Sequence, residues 1–185
     1  YMDDNEDSIM GGGDNIFENG RFVGWCGLPR LEDGSLLSNG QVSPTVTDED
    51  EIRGIEAGML NEYIKAPDAY NCPGSKYLSL YDKTRGFVSY SIPRCLYGWT
   101  NNTGQIKKFS QISLPATRYN FVEAGEARNW NMGHSFVMAA PEYGSAEFGW
   151  WGPAAINHGD SSILGFADGH AEKRVWVDNY TIQHY

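Results

Sequence analysis

No apolar run in this sequence approaches the ~20 residues of a membrane-spanning helix, and no secretory signal peptide is visible. Cysteine is scarce: Cys26, Cys72 and Cys95 are the only three in 185 residues. That is too few for a disulfide scaffold, and no Cys-x-x-Cys spacing offers a zinc site. One bridge with a thiol left over and three buried thiols both remain open. Basic residues are also few. Lys and Arg number 14 against 24 Asp and Glu, for a net charge of -10. So acidic a surface repels phosphate backbones and anionic lipid heads, which argues against nucleic acid and peripheral membrane partners. Acidic clusters instead suit a divalent cation. There is no His-Glu-x-x-His metalloprotease motif and no Gly-x-Ser-x-Gly elbow. The expectation is a protein that is not an enzyme, without catalytic, cofactor or metal residues. The chain opens on Tyr1 rather than Met, and is expected to be a soluble fragment or processed form.

What is present is globular in character, with 41% hydrophobic and 21% charged residues, and residues 1–185 read as one domain. Residues 1–45 are turn-rich, with glycines at 11, 12, 13, 20, 24, 27, 34 and 40, and predict loops with at most short strands. Thr47-Asp48-Glu49-Asp50 supplies an N-cap and first-turn acids. Ile52, Ile55, Met59 and Tyr63 follow at helical spacing, and Pro67 forbids continuation beyond about Lys65. This predicts a helix packed on a sheet. Residues 87–92, 118–123 and 135–139 read as strands. Ser162–Ala167, Asp168-Gly169 and His170–Val177 read as a hairpin with a two-residue turn. Ala167 then opposes His170, Phe166 Ala171, Leu164 Lys173 and Ser162 Val175. Phe166, Leu164, Val175 and Val177 are expected to be buried on one face. The order of elements predicts an α+β fold with an antiparallel sheet, a packed helix and long loops.

The segment Asn157-His158-Gly159-Asp160-Ser161-Ser162-Ile163-Leu164-Gly165-Phe166-Ala167-Asp168-Gly169-His170 holds a histidine, nine residues, then Asp-Gly. This resembles the C-terminal signature of bacterial prepilin-like proteins similar to type II secretion pseudopilins. Three further stretches agree in order. Tyr1-Met2-Asp3-Asp4-Asn5-Glu6-Asp7 resembles the acidic segment after that family's long N-terminal helix. Leu60–Lys65 followed by Tyr70-Asn71-Cys72-Pro73 resembles its helix end and Cys-Pro element. Ile112–Thr117 followed by Phe121-Val122-Glu123 resembles its turn into a strand. The resemblance implies a pilin-like head and a structural subunit of a secretion pseudopilus or a pilus. It implies a leader cleaved by prepilin peptidase and an apolar helix, preceding Tyr1, that anchors and polymerises the protein. Other pilin-like subunits and the secretion machinery would be its partners, with the membrane reached only through that helix. The head would face the periplasm or cell surface.

Within the signature, His158 and Asp168 invite an acid–base or metal reading, but an intervening strand separates them by roughly 20–30 Å. Asp168 and Gly169 suit the positive φ of a tight turn. His158 is expected to bond loop backbone at the strand entrance. His158, Asp168, Gly169, Cys72 and Pro73 are therefore read as structural. A metal cluster of His134, His158, His170 and Asp160 is the hydrolase alternative. Asp3, Asn5 and Asp7 match the first three ligand positions of an EF-hand loop, with Asp14 at the twelfth. Ser8 replaces the turn glycine, so any calcium here departs from the pattern. Type II major pseudopilins carry calcium, but at a different loop. Six Trp and eleven Tyr predict core packing plus surface rings. Trp150-Trp151, whose side chains point to opposite faces if extended, supports the other alternative, an extracellular carbohydrate-binding module.

Overall fold

The computed structural model describes residues 2–12, 17–37, 46–75, 88–93, 96–97, 106–124, 154–179 and 182. The expected strand at 135–139, the Trp150-Trp151 loop, His134, Cys95 and Asp14 lie outside these. Within them the architecture is α+β, with one α-helix and two antiparallel sheets. A small hairpin joins β1 (Phe17–Glu18) to β2 (Arg21–Phe22). Its turn residues Asn19 and Gly20 have φ of 51° and 79°, the left-handed pair that a two-residue hairpin needs. The main sheet runs β3 (Tyr90–Ser91), β4 (Tyr119–Glu123), β5 (Ser161–Phe166) and β6 (Ala171–Val175), each antiparallel to its neighbour. Residues 3–5 form a single 3-10 turn.

The helix α1 covers only Asp48–Glu56, shorter than the periodicity to Lys65 predicts. Its start is as expected. The Thr47 hydroxyl accepts from the Asp50 N–H, and the Asp50 carboxylate accepts from the Thr47 N–H at 3.0 Å. Its end is tertiary in origin. Gly58 turns extended (φ -76°, ψ 150°), and the N–H groups of Met59 and Leu60 donate instead to the carbonyls of Gly24 and Trp25. A 3-10 turn at Met59–Glu62 replaces the last helical turns. Two glycines make this docking possible. A Cβ on Gly54, in the last turn of the helix, would stand 2.5 Å from the Leu28 carbonyl oxygen, and one on Gly58 would overlap the Trp25 carbonyl. The helix thus seats on the backbone of residues 25–28. From there Ile55 joins Trp25, Cys26, Met59, Tyr70, Val88 and Ile92 in the main core. Trp25 stacks on Tyr70 at 6.0 Å and meets the edge of Phe121 at 5.4 Å. It is a core residue.

The β5–β6 hairpin forms, but one step out of the predicted register. Gly165 pairs with Ala171, Leu164 with Glu172 and Ser162 with Arg174. The connection therefore has three residues, Ala167-Asp168-Gly169, between Phe166 and His170. Two contacts select it. The Ala167 N–H is held by the Arg118 carbonyl at the start of β4, which keeps Ala167 from opposing His170. Gly169 takes φ 95°, the left-handed bulge residue of a three-residue hairpin. Asp168 accepts from the His170 N–H at 3.2 Å and bonds its ring Nδ1 at 2.5 Å. The one-residue shift exchanges the faces of β6 relative to β5. Leu164 and Phe166 are buried, whereas Val175 is 58% and Val177 90% exposed. The expected four-residue apolar cluster is not formed.

Candidate functional site

Two turns and the end of a strand bring Cys72, Glu123 and His158 together. The first is the turn Cys72-Pro73-Gly74-Ser75, closed by the Ser75 N–H on the Cys72 carbonyl at 2.9 Å. It is tied to the sheet by Ser89. The Cys72 N–H donates to the Ser89 hydroxyl at 2.5 Å, and the Ser89 N–H donates to the Tyr70 carbonyl. The second is the end of β4, where Val122 and Glu123 point to opposite faces and both are buried. The third is the turn at 157–160, where Gly159 and Asp160 take φ of 64° and 52°. Within it the Ser161 hydroxyl donates to the Gly159 carbonyl at 2.9 Å, and beside it the Trp176 backbone N–H donates to the Asp160 carbonyl at 2.8 Å, extending the β5–β6 pairing.

His158 Nε2 lies 2.8 Å from Glu123 Oε1 and 3.3 Å from Cys72 Sγ. The other carboxylate oxygen, Oε2, accepts the Ile163 N–H at 2.8 Å. Glu123 has no solvent exposure, Cys72 has 3%, and the His158 side chain has 32%. The imidazole lies close over Gly74, where a Cβ would meet its Cε1 at 3.0 Å. Burial pushes the Cys72 thiol above its ordinary pKa, and the nearby Glu123 carboxylate adds to this. The N–H groups of Gly74 and Ser75, which bond the sulfur, act in the opposite sense. Cys72 and Cys26 are both buried thiols.

The geometry discriminates between two chemistries. In a nucleophile–base–acid triad the two ring nitrogens divide the work: one faces the nucleophile, the other the orienting carboxylate. Here a single nitrogen, Nε2, faces both partners. It carries at most one proton, which cannot make two full hydrogen bonds. The thiol is also buried and its pKa raised, the inverse of an activated nucleophile. One thiol, one carboxylate and one imidazole converging on a point is the arrangement of a metal-ligand set. Among the described residues this is the one group of three His, Cys, Asp or Glu with ligand atoms all within 4.8 Å of each other.

The other candidates are dispersed. His158 and Asp168 stand at opposite ends of β5, as expected. His158, however, bonds through its ring to Glu123 and Cys72, not to loop backbone alone. His170 stacks on Phe166 at 4.3 Å and binds Asp168, whose carboxyl its ring holds below the usual carboxylate range. His170 is thus remote from His158, so the proposed histidine cluster is not assembled among the described residues. In the acidic N-terminal stretch, Asp7 accepts from the N–H and hydroxyl of Ser110. The Asn5 amide donates to the Tyr63 hydroxyl, which itself donates to Asp4. Sequence spacing did not reveal the Cys–His pair, because its members are 86 residues apart. All three members nonetheless fall inside the stretches Tyr70–Pro73, Phe121–Glu123 and Asn157–His170. No helix among the described residues is long and apolar enough to cross a membrane. No protein-family model, curated protein or solved structure matches the chain.

Proposed function

We propose that this chain is the head of a pilin-like structural subunit, similar to type II secretion pseudopilins, that works by assembly and not by catalysis. One observation carries the reading. Three of the four separated stretches that resemble the prepilin-like family are tied to one another at a buried centre through Cys72, Glu123 and His158. The Asp168-Gly169 end of the signature serves a different need: it turns the hairpin. The acidic stretch after Met2 lies along residues 106–110. Ile9 donates to the Lys107 carbonyl, and Lys108 Nζ donates to the Glu6 carbonyl at 2.5 Å. In the proposed protein the polymerising helix precedes this stretch, and the head faces the periplasm or the cell surface.

The test is the intact gene product in its own cells. Expected are a basic leader and an apolar helix encoded upstream of residue 1, and fractionation with the inner membrane or with sheared filaments. Deleting the upstream segment should release the head to the soluble fraction. An intact protein that has no such helix and never sediments with membranes or filaments overturns the reading. Binding of glycans by the isolated head would instead favour a carbohydrate-binding module, and hydrolysis lost on metal removal would favour an enzyme.

A further inference from the structure

We infer that Cys72, Glu123 and His158 form a zinc site that fastens the 70–75 turn, the end of β4 and the 157–160 turn to one another. The donor set selects the metal. A thiolate and an imidazole are poor ligands for calcium or magnesium, which take oxygen, whereas sulfur, nitrogen and one carboxylate oxygen together suit zinc. This inference does not depend on the pilin-like reading, since it rests on side-chain geometry alone.

The dimensions fit after a small expansion. Tetrahedral zinc places its sulfur and nitrogen ligands about 3.5 Å apart, and its nitrogen and oxygen ligands about 3.4 Å apart. The distances here are 3.3 Å and 2.8 Å. The imidazole therefore needs to move outward by roughly half an ångström to reach these separations. It is the one ligand with room to do so, being a third exposed, while Glu123 and Cys72 are enclosed.

Two features of the surroundings are those of a metal ligand set. The N–H groups of Gly74 and Ser75 bond the sulfur and offset thiolate charge in a buried place. The Ile163 N–H holds Glu123 Oε2 at 2.8 Å and leaves Oε1 for the shared centre, the orienting bond that ligating carboxylates characteristically receive. To bind zinc through Nε2, the neutral imidazole of His158 carries its one proton on Nδ1. The thiol proton leaves to solvent as the sulfur–zinc bond forms.

The experiment uses the whole 185-residue chain, stripped with a chelator and reduced. Zinc is titrated in competition with a chromogenic chelator, and cobalt is used as the spectroscopic substitute. Expected are one metal per chain, a sulfur-to-cobalt charge-transfer band and a higher Tm with zinc. Cys72→Ser should abolish the band, and His158→Gln should abolish stoichiometric uptake. If either variant does not fold, the wild-type protein still decides the matter. No uptake, or cobalt binding without a thiolate band, overturns the site. Equal zinc affinity in folded wild-type and Cys72→Ser protein overturns it as well.

Discussion

Gly54→Ala separates what helix propensity dictates from what tertiary packing dictates. Gly54 lies in the last turn of α1, and at a helical position alanine is favoured over glycine by about 1 kcal/mol. In an isolated or loosely packed helix the substitution stabilises. Here the added methyl group would stand 2.5 Å from the Leu28 carbonyl oxygen, 2.7 Å from its carbon and 2.8 Å from the Gly27 carbonyl oxygen. All three are backbone atoms, so no side-chain rotation relieves the overlap, and the helix must lift from the 25–28 segment. Overpacking a tight core by one methyl costs about 1–3 kcal/mol, and backbone neighbours place this case near the upper end. Subtracting the propensity gain leaves a net loss of about 2 kcal/mol. For a chain of this size that lowers Tm by about 4–8 °C. Urea and thermal unfolding, followed by circular dichroism, measure both quantities. A variant more stable than the parent by about 1 kcal/mol, as propensity alone requires, refutes the seating of α1 on residues 25–28.

Three further outcomes are expected. Gly169→Val should destabilise by about 1–3 kcal/mol. The space around Gly169 is open, so the cost is that of holding a β-branched residue at φ 95°; an unchanged melt would show that the turn is built otherwise. Asp50→Ala removes the capping box and the 2.6 Å contact with Arg53, at about 1–2 kcal/mol near neutral pH. The Thr47 N–H, and beyond it the Arg53 guanidinium, hold the Asp50 carboxyl below its ordinary value of 3.8. Because the folded pKa lies below the unfolded one, this contribution is complete above the ordinary value and disappears as pH falls through the folded value. The gap between parent and variant in urea unfolding should therefore close in acid; a gap independent of pH would contradict the cap. Metal-free Cys72 should react with iodoacetamide far more slowly in the native than in the unfolded chain, because the thiol is buried and its pKa raised. Rapid native labelling at Cys72 would restore the nucleophile reading.

Local chemistry was legible in the residues. Thr47-x-x-Asp50 starts α1 because a hydroxyl and a carboxylate three residues apart satisfy each other's backbone N–H. Asp168-Gly169 turns the β5–β6 hairpin because glycine tolerates the left-handed backbone. The α+β order and the antiparallel strands near 119–123 and 161–175 follow from alternation and turn signals of the same short range. Tertiary contacts decided the rest. Nothing local to Ala167 predicts that Arg118 will take its N–H, yet that bond shifts the hairpin by one residue and leaves Val175 and Val177 in solvent. Helical periodicity through Ile64 continues past Gly58, yet the carbonyls of Gly24 and Trp25 claim the backbone there and end the helix. The convergence of Cys72, Glu123 and His158 joins loops separated by 35 and 86 positions. Spacing along the chain carries no information on such a meeting, because the folding of the sheet, and not any repeat in the residues, sets which loop ends face each other.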